Sequence, residues 1–380
     1  MSESESSSQY SQASDSSSAP EYRKIIFGES SPGDDVAVSR GTTLLDTNVV
    51  RNTRDLWLNG FRRQDPSTEC RLGNLILGPS VGEVVPLYGA AERAWKRRTR
   101  ELNAGEFFEH LMACGELFGN RSLAVEVFTE GKVPGREPRA EALLVQMVAG
   151  GGQLFQGVVE DFVLTQVEPR YCVLLKIHEL LAGPCTQASP MLLIDYCTEA
   201  LDFVPGLELV LGICLLAPST MLTKAGKEVR KVAGVVVKPG NATPHRAAWG
   251  GAWDLTFVRV RQSLNALTTA TGLQCPPPFR IITAETAVAA IHDAFSFVPP
   301  LAEIFGSEAA VLDAGPEVFS MKDELLRAGS KLSRRFSDLP FERILSIASR
   351  SDTHADRERS RLDAELARFS IVFPEQDLNS

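Results

Sequence analysis

The sequence has 380 residues, of which 44% are hydrophobic and 23% are charged, and these proportions are ordinary for folded globular proteins. They exclude a wholly disordered chain, a collagen-like chain and a coiled-coil rod. The formal net charge of −9 excludes a positive field over the whole molecule, so an RNA or an anionic membrane would need a local basic patch or metal ions.

The first twenty residues contain ten serines and no lysine or arginine, which is unlike a secretory signal and predicts a disordered tail. The seven cysteines are scattered without a C-x-x-C pair, so we expect reduced thiols. The apolar stretch 201–218 carries Asp202 and Glu208, and it predicts a buried helix instead of a membrane span. These features favour a cytoplasmic protein without a membrane partner.

Short apolar runs between turn residues predict four buried strands. They cover residues 42–45, 74–77, 232–237 and 279–283. Each run is followed by helix-compatible sequence, which favours an α/β fold with a parallel central sheet flanked by helices.

Helical patterns fill most of the remaining chain, including residues 84–120, 140–223 and the region after residue 316. We therefore predict five parts: a disordered tail (1–20), the first half of an α/β domain (21–95), a mainly helical insertion (96–230), the second half of that domain (231–300) and a helical C-terminal extension (301–380).

Four acidic residues lie close to the ends of the predicted strands or the starts of the predicted helices. Asp46 directly follows the first strand, and Glu83 is expected in the first helical turn after the second. Asp254 follows a Gly-Gly pair that predicts a tight turn into a helix, and Glu285 follows the last strand. Open α/β sheets bind ligands at the carboxyl ends of their strands, so these carboxylates are predicted to converge there.

Structural alternatives for these acids stay open. Asp46 can cap the helix that follows it, and Ser80 with Glu83 has the S-x-x-E spacing of a capping box. A further acidic group within the insertion either completes the site from one helix face or forms a solvated face; it consists of Asp195, Glu199 and Asp202.

In these motifs the sequence resembles the PIN-domain family of metal-dependent nucleases. The matching strings are LLDTNVV around Asp46, GPSVGEVV around Glu83, AWDLTFVRV around Asp254 and IITAETAV around Glu285. The resemblance covers residues 40–95 and 230–295 and implies a three-layer α/β/α fold. Two departures are the Glu at 285, where the family usually has Asp, and the long interval between Glu83 and Asp254.

The resemblance implies a metal-dependent endoribonuclease that hydrolyses RNA phosphodiester bonds, with single-stranded DNA as a second candidate substrate. It implies that Mg²⁺ or Mn²⁺, hard cations that prefer oxygen ligands, binds at Asp46, Glu83, Asp254 and Glu285. The predicted substrate contacts are Asn48, Lys96, Arg97 and Arg261. Trp95 either stacks on a base or packs in the core.

Two other functions remain as alternatives. The Glu at 285 and the large insertion also fit a catalytically weakened PIN-like module that binds nucleic acid or protein. A chain without appreciable strand would instead be a helix-rich interaction protein. A cognate inhibitor or a homo-oligomer is compatible with each of these hypotheses.

Overall fold

A computed structural model describes residues 23–27, 41–60, 66–78, 82–186, 188–201, 206–222, 224–258, 279–284, 288 and 352–374. Its strands are β1 (Arg23–Phe27), β2 (Thr42–Leu45), β3 (Glu83–Val85), β4 (Trp95–Lys96), β5 (Glu101–Leu102) and β6 (Phe279–Thr283). Its helices are α1 (Thr47–Asn59), α2 (Pro66–Leu77), α3 (Leu87–Ala94), α4 (Ala104–Gly119), α5 (Arg121–Glu130), α6 (Pro138–Phe162), α7 (Glu168–Leu181), α8 (Ser189–Asp195), α9 (Gly206–Leu216), α10 (Lys224–Val237), α11 (Pro244–Val258) and α12 (Asp352–Val372).

One four-stranded sheet, in the order β1-β6-β2-β3, organises the α/β part of the chain. β2 lies between β6 and β3 and runs parallel to both, whereas β1 is antiparallel to β6. All four residues of β2 are buried, as expected of a central parallel strand that is covered on both faces. The predicted α/β class and the predicted strands 42–45 and 279–283 are confirmed.

Two predicted strands are wrong, because residues 74–77 end α2 and residues 232–237 end α10. In α10 the buried apolar residues Val229, Ala233, Val236 and Val237 recur every three to four positions, whereas Val235 is exposed. This spacing suits a helix with one apolar face. The triple valine at 235–237 has strand-like composition but helical periodicity.

The elements that the structure describes from α4 to α10 are all helices joined by short turns, in agreement with the mainly helical region that the sequence predicted. A π-helical segment, Val163–Val167, joins α6 to α7, and a second one, Tyr196–Leu201, follows α8. α9 is the predicted buried helix, with Leu209, Leu211 and Leu216 fully buried. Pro169 lies in the first turn of α7, where a proline is tolerated, so it does not break the continuous helix.

The Gly250–Gly251 pair lies inside α11, so the predicted turn before Asp254 is wrong. A Cβ atom at Gly251 would lie 3.0 Å from the Val236 carbonyl oxygen and 3.1 Å from Leu174 Cδ1. The missing side chain therefore allows α11 to approach α10 and α7 closely.

A continuous hydrophobic core joins the sheet to the helices. It runs from Leu44 and Leu45 in β2 through Phe162 and Trp253 to α9. Among the described residues, one continuous helix is long and apolar enough to cross a membrane by length and composition. It is Pro138–Leu181, which comprises α6, the π-helical segment and α7, and 6% of its most apolar 18-residue window is buried.

Candidate carboxylate site at the sheet edge

Asp46 lies at the carboxyl end of the central strand. Its Oδ1 accepts a hydrogen bond from the Thr47 backbone N–H at 2.7 Å, and its Oδ2 accepts one from the Thr283 hydroxyl at 2.5 Å. Its own N–H donates to the Ile282 carbonyl oxygen at 3.0 Å. Asp46 is the N-cap of α1 and is 2% exposed. The capping interpretation is therefore confirmed, and the same carboxylate joins β2 to the end of β6.

Glu83 lies at the amino ends of the parallel strands, opposite to the carboxyl ends where Asp46 lies. It is the exposed first residue of β3 and is paired with Thr42, the first residue of β2. Asp46 comes four positions after Thr42, so about 13 Å of strand separates the levels of the two acids. The predicted helical turn at Glu83 is wrong because Val84 and Val85 continue as strand, and the helix begins only after Pro86.

Glu92 is the acidic residue that the sequence analysis missed. It lies on α3, the helix after β3, and one of its carboxylate oxygens accepts a hydrogen bond from the Thr47 hydroxyl. Close packing brings α3 to this position: a Cβ atom at Gly89 would lie 2.9 Å from the Leu45 carbonyl oxygen. The string EVVPLYGAAE, residues 83–92, could have revealed Glu92. It reads as a short strand, a proline and a helix, and in that helix Glu92 lies one turn after Gly89.

Asp46 and Glu92 therefore both bind Thr47, one through its backbone N–H and the other through its hydroxyl. This arrangement holds two carboxylates at the carboxyl edge of a parallel sheet, where such sheets bind ligands. Oxygen-only donors suit a hard divalent cation, and Mg²⁺ commonly uses one or two carboxylates with waters and phosphate oxygens. Within the described ranges, no group of three or more His, Cys, Asp or Glu side chains could hold a metal ion.

Asp254 lies within α11 and not at its start, and it is 9% exposed. One turn later, the Phe257 ring contacts Tyr88 of α3 at a centroid distance of 6.1 Å. α11 therefore reaches the helix that carries Glu92.

The remaining predicted residues have different placements. Glu285 and Arg261 lie outside the described residues, although β6, which precedes Glu285, ends at Thr283 beside Asp46. Asn48 is half-buried in the first turn of α1. Among the acids of the insertion, Glu199 is exposed in a π-helical segment and Asp202 is not described.

The basic run after α3, residues 96–100, lies in a tight hairpin in which β4 pairs with β5. Trp95 is 5% exposed and packs in the core, so it is not positioned to stack on a base. Lys96 is exposed. Arg97 lies over the Tyr171 ring, 5.5 Å from its centroid, and donates to the Tyr171 hydroxyl. Of the two predicted contacts in this stretch, Lys96 is exposed and Arg97 already contacts a tyrosine; the neighbouring Arg98 is exposed as well.

A cavity of about 370 Å³ lies beside this hairpin, between α7, α11 and α12. The Tyr171 hydroxyl lies 2.5 Å from His245 Nδ1, and His245 Nε2 lies 2.9 Å from the Phe373 carbonyl oxygen. Because that carbonyl can only accept, Nε2 carries the proton and Nδ1 accepts from the tyrosine. Burial and then the charge of Arg97 lower the pKa of His245, which favours this neutral form.

Acidic side chains neutralise part of the positive charge of the cavity. Arg100 lies 2.9 Å from Glu168 and also pairs with Asp363 of α12. Burial raises the pKa of Glu168, although Arg100 opposes this shift. The cavity is therefore mixed in charge and less suited to a polyanion than the basic run suggests.

No protein-family model matches the sequence, and searches of curated proteins and of solved structures found no match to it.

Proposed function

We propose that this chain is a metal-dependent nuclease of PIN-like type that hydrolyses RNA, with Asp46 and Glu92 as its first two carboxylates. The observation that carries the proposal is the attachment of both carboxylates to Thr47 at the carboxyl edge of the sheet. Glu92 replaces Glu83 in this proposal because Glu83 lies at the amino ends of the parallel strands, away from Asp46.

The order of the strands supports the same site. β3, β2 and β6 are adjacent and parallel, and each leads toward one acid of the proposal: Glu92, Asp46 and Glu285. Neighbouring parallel strands deliver their following residues to one edge of a sheet. Glu285 and Asp254 remain proposed further ligands.

The donor set fits Mg²⁺ or Mn²⁺, because both carboxylates offer hard oxygen ligands. When bound, the cation would activate water and stabilise negative charge on the phosphate. The chain's own contribution is orientation. The Thr283 hydroxyl and the Thr47 amide hold the Asp46 carboxylate, and the Thr47 hydroxyl holds that of Glu92.

RNA remains the proposed substrate, with single-stranded DNA as the second candidate. A chain with a net charge of −9 must attract phosphates locally. The exposed Lys96 follows the helix that carries Glu92 by two residues and can serve in this way. Asn48, Arg97 and Arg261 stay proposed substrate contacts. The cytoplasmic location and the lack of a membrane partner also remain part of the proposal.

The decisive experiment compares two glutamates. A labelled single-stranded RNA is incubated with Mg²⁺ or Mn²⁺, or with EDTA, and with wild-type protein, Glu92→Gln or Glu83→Gln. We expect Glu92→Gln to lower the cleavage rate by roughly a hundredfold or more, because a neutral amide is a poor ligand for a hard cation. Glu83→Gln should retain the wild-type rate. The reverse result, or cleavage that persists in EDTA, would refute the assignment.

A nucleic-acid-binding module without catalysis is the second candidate. It is favoured by the nearly complete burial of Asp46, both of whose carboxylate oxygens already accept hydrogen bonds. A wild-type protein that binds RNA in a filter assay but cleaves none with either metal would select this candidate.

A further inference from the structure

The outward side of α6 is an exposed strip without charge. Residues 142–159 contain no Asp, Glu, Lys or Arg, and at a rise of about 1.5 Å per residue they extend about 27 Å. Leu143 is 40% exposed and Leu154 is 68% exposed, and both lie on this side of the helix. We call this strip the α6 outer face; its central residues are Leu143, Gln146, Gly150, Leu154 and Gly157, all exposed.

The opposite side of α6 already packs in the molecule. Leu144, Met147 and Phe155 lie against the core, and a Cβ atom at Gly151 would approach Phe108 Cζ to 3.1 Å. α6 is thus held by one face, and its second apolar face is left to solvent. Exposed contiguous apolar patches of this kind commonly mark interaction sites.

The two charged residues that bound the outer face lie at equal distances from Gly150. The face is bounded by exposed Arg139 at one end and by exposed Asp161 at the other. Both residues are eleven positions from Gly150, so an antiparallel copy of α6 centred there would place Arg139 opposite Asp161. In the same register, Leu143 lies opposite Gly157, where a built Cβ meets no atom of the described chain within 4 Å.

We propose that the α6 outer face binds the same face of a second copy of this chain, with the helices antiparallel about a two-fold axis at Gly150. Such an interface is isologous, so each Arg139 pairs with Asp161 of the other copy and each contact occurs twice. Gly150 and Gly157 leave room for the leucines and for close approach of the helices. Gln146 and Gln153 become neighbours across the axis and can exchange amide hydrogen bonds.

The charges around the strip favour a second copy over a membrane surface. Helices that bind in a membrane interface are rich in Lys and Arg on their polar side. The residues next to the uncharged stretch are instead mainly acidic, namely Glu141, Glu160 and Asp161, with Arg139 as the cation at one end and Arg359 of α12 paired with Glu160 at the other. Anionic lipid would repel these ends, whereas an antiparallel copy matches them.

The size of the strip sets the expected strength. A face about 27 Å long and about 10 Å wide covers less than the roughly 800 Å² per partner of a standard stable interface. We therefore expect a reversible dimer with a dissociation constant in the micromolar range, which sedimentation velocity between about 1 and 200 µM resolves.

The test uses two charge reversals in the full chain. Arg139→Asp and Asp161→Arg each place like charges opposite one another twice, so each variant alone should dissociate roughly tenfold more readily. An equimolar mixture of the two variants restores both attractions and should form heterodimers. The double variant restores the same attractions with itself and should form homodimers. Lys231→Asp, on the exposed side of α10, is the matched control and should dimerise like wild type.

A backbone variant provides a second readout. Gly150→Leu should block the approach of the helices and raise the dissociation constant at least tenfold, although leucine favours the helix more than glycine does. A wild-type monomer at 200 µM would overturn the proposal, as would charge variants that associate normally or a mixture that fails to recover. Flotation of a monomeric protein with anionic liposomes would assign the face to a membrane instead.

Discussion

The buried ion pair between Arg170 and Glu208 gives the sharpest stability prediction. These residues join α7 to α9, are 3% and 0% exposed, and place Arg170 Nε 3.0 Å from Glu208 Oε1. These two atoms lie within the distance of a close ion pair. Coulomb's law gives about 5 kcal/mol at this distance with an effective dielectric constant of about 20.

Desolvation of the two ions costs several kcal/mol each, so the pair as a whole stabilises the fold little. Removing one partner is different, because it leaves the other charge buried. We expect Glu208→Leu to lower the free energy of unfolding by about 3–5 kcal/mol, and the double variant Arg170→Met/Glu208→Leu to recover most of that loss.

Urea denaturation curves, monitored by circular dichroism at 222 nm, measure these changes in the free energy of unfolding. The exposed pair Lys231 and Glu228 is the matched control, and Glu228→Leu should change the free energy of unfolding by at most about 0.5 kcal/mol. If Glu208→Leu costs less than about 1 kcal/mol, or if the double variant is no more stable than the single one, the pair is not desolvated as the structure describes.

Two further predictions concern pH and helix packing. Burial lowers the pKa of His110 to about 4, and its Nδ1–H donates to the Glu106 carbonyl oxygen at 2.6 Å. The unfolded chain therefore binds this proton first as pH falls, and between pH 6.5 and 4 wild type should lose about 3 kcal/mol more stability than His110→Gln, measured by urea unfolding across that range. At Gly212 a Cβ atom would lie 2.4 Å from Leu193 Cδ2, so Gly212→Ala should lower the free energy of unfolding by about 1–3 kcal/mol. Gly234→Ala on α10, where a Cβ meets no described atom within 4 Å, should instead raise it by up to about 1 kcal/mol, and a destabilised Gly234→Ala with a neutral Gly212→Ala would contradict the packing.

The fold could be predicted where composition and periodicity agreed. The strands at 42–45 and 279–283 combine apolar residues with turn signals, and both occur as predicted. Residues 74–77 were predicted as a strand because a run of four residues is too short to show the helical period of its apolar positions. The buried Leu72 upstream places Leu75 and Ile76 on the same helix face, which becomes evident only over the longer segment.

The proposed pair of carboxylates could be predicted from the sequence only in part. Asp46 could be recognised because a strand, an acid and a helix start occur together. Glu83 was predicted and Glu92 was missed because the preceding strand was placed at 74–77, which moved the following helix to residue 80. The actual strand, β3, begins at Glu83, so the acid on the next helix is Glu92. The misplaced strand therefore led to an acid at the amino ends of the parallel strands, whereas the proposed site lies at their carboxyl ends.

The proposed function requires Asp46 and Glu92 together to bind one hard divalent cation. Isothermal titration of Mn²⁺ into wild type, Asp46→Asn, Glu92→Gln and Glu83→Gln tests it without any assumption about RNA. Asn still caps a helix, so Asp46→Asn should fold like wild type. We predict Mn²⁺ binding to wild type and to Glu83→Gln, with affinity reduced at least tenfold in Asp46→Asn and in Glu92→Gln. Undiminished binding to Glu92→Gln, or loss of binding in Glu83→Gln, would contradict a cation site at Asp46 and Glu92.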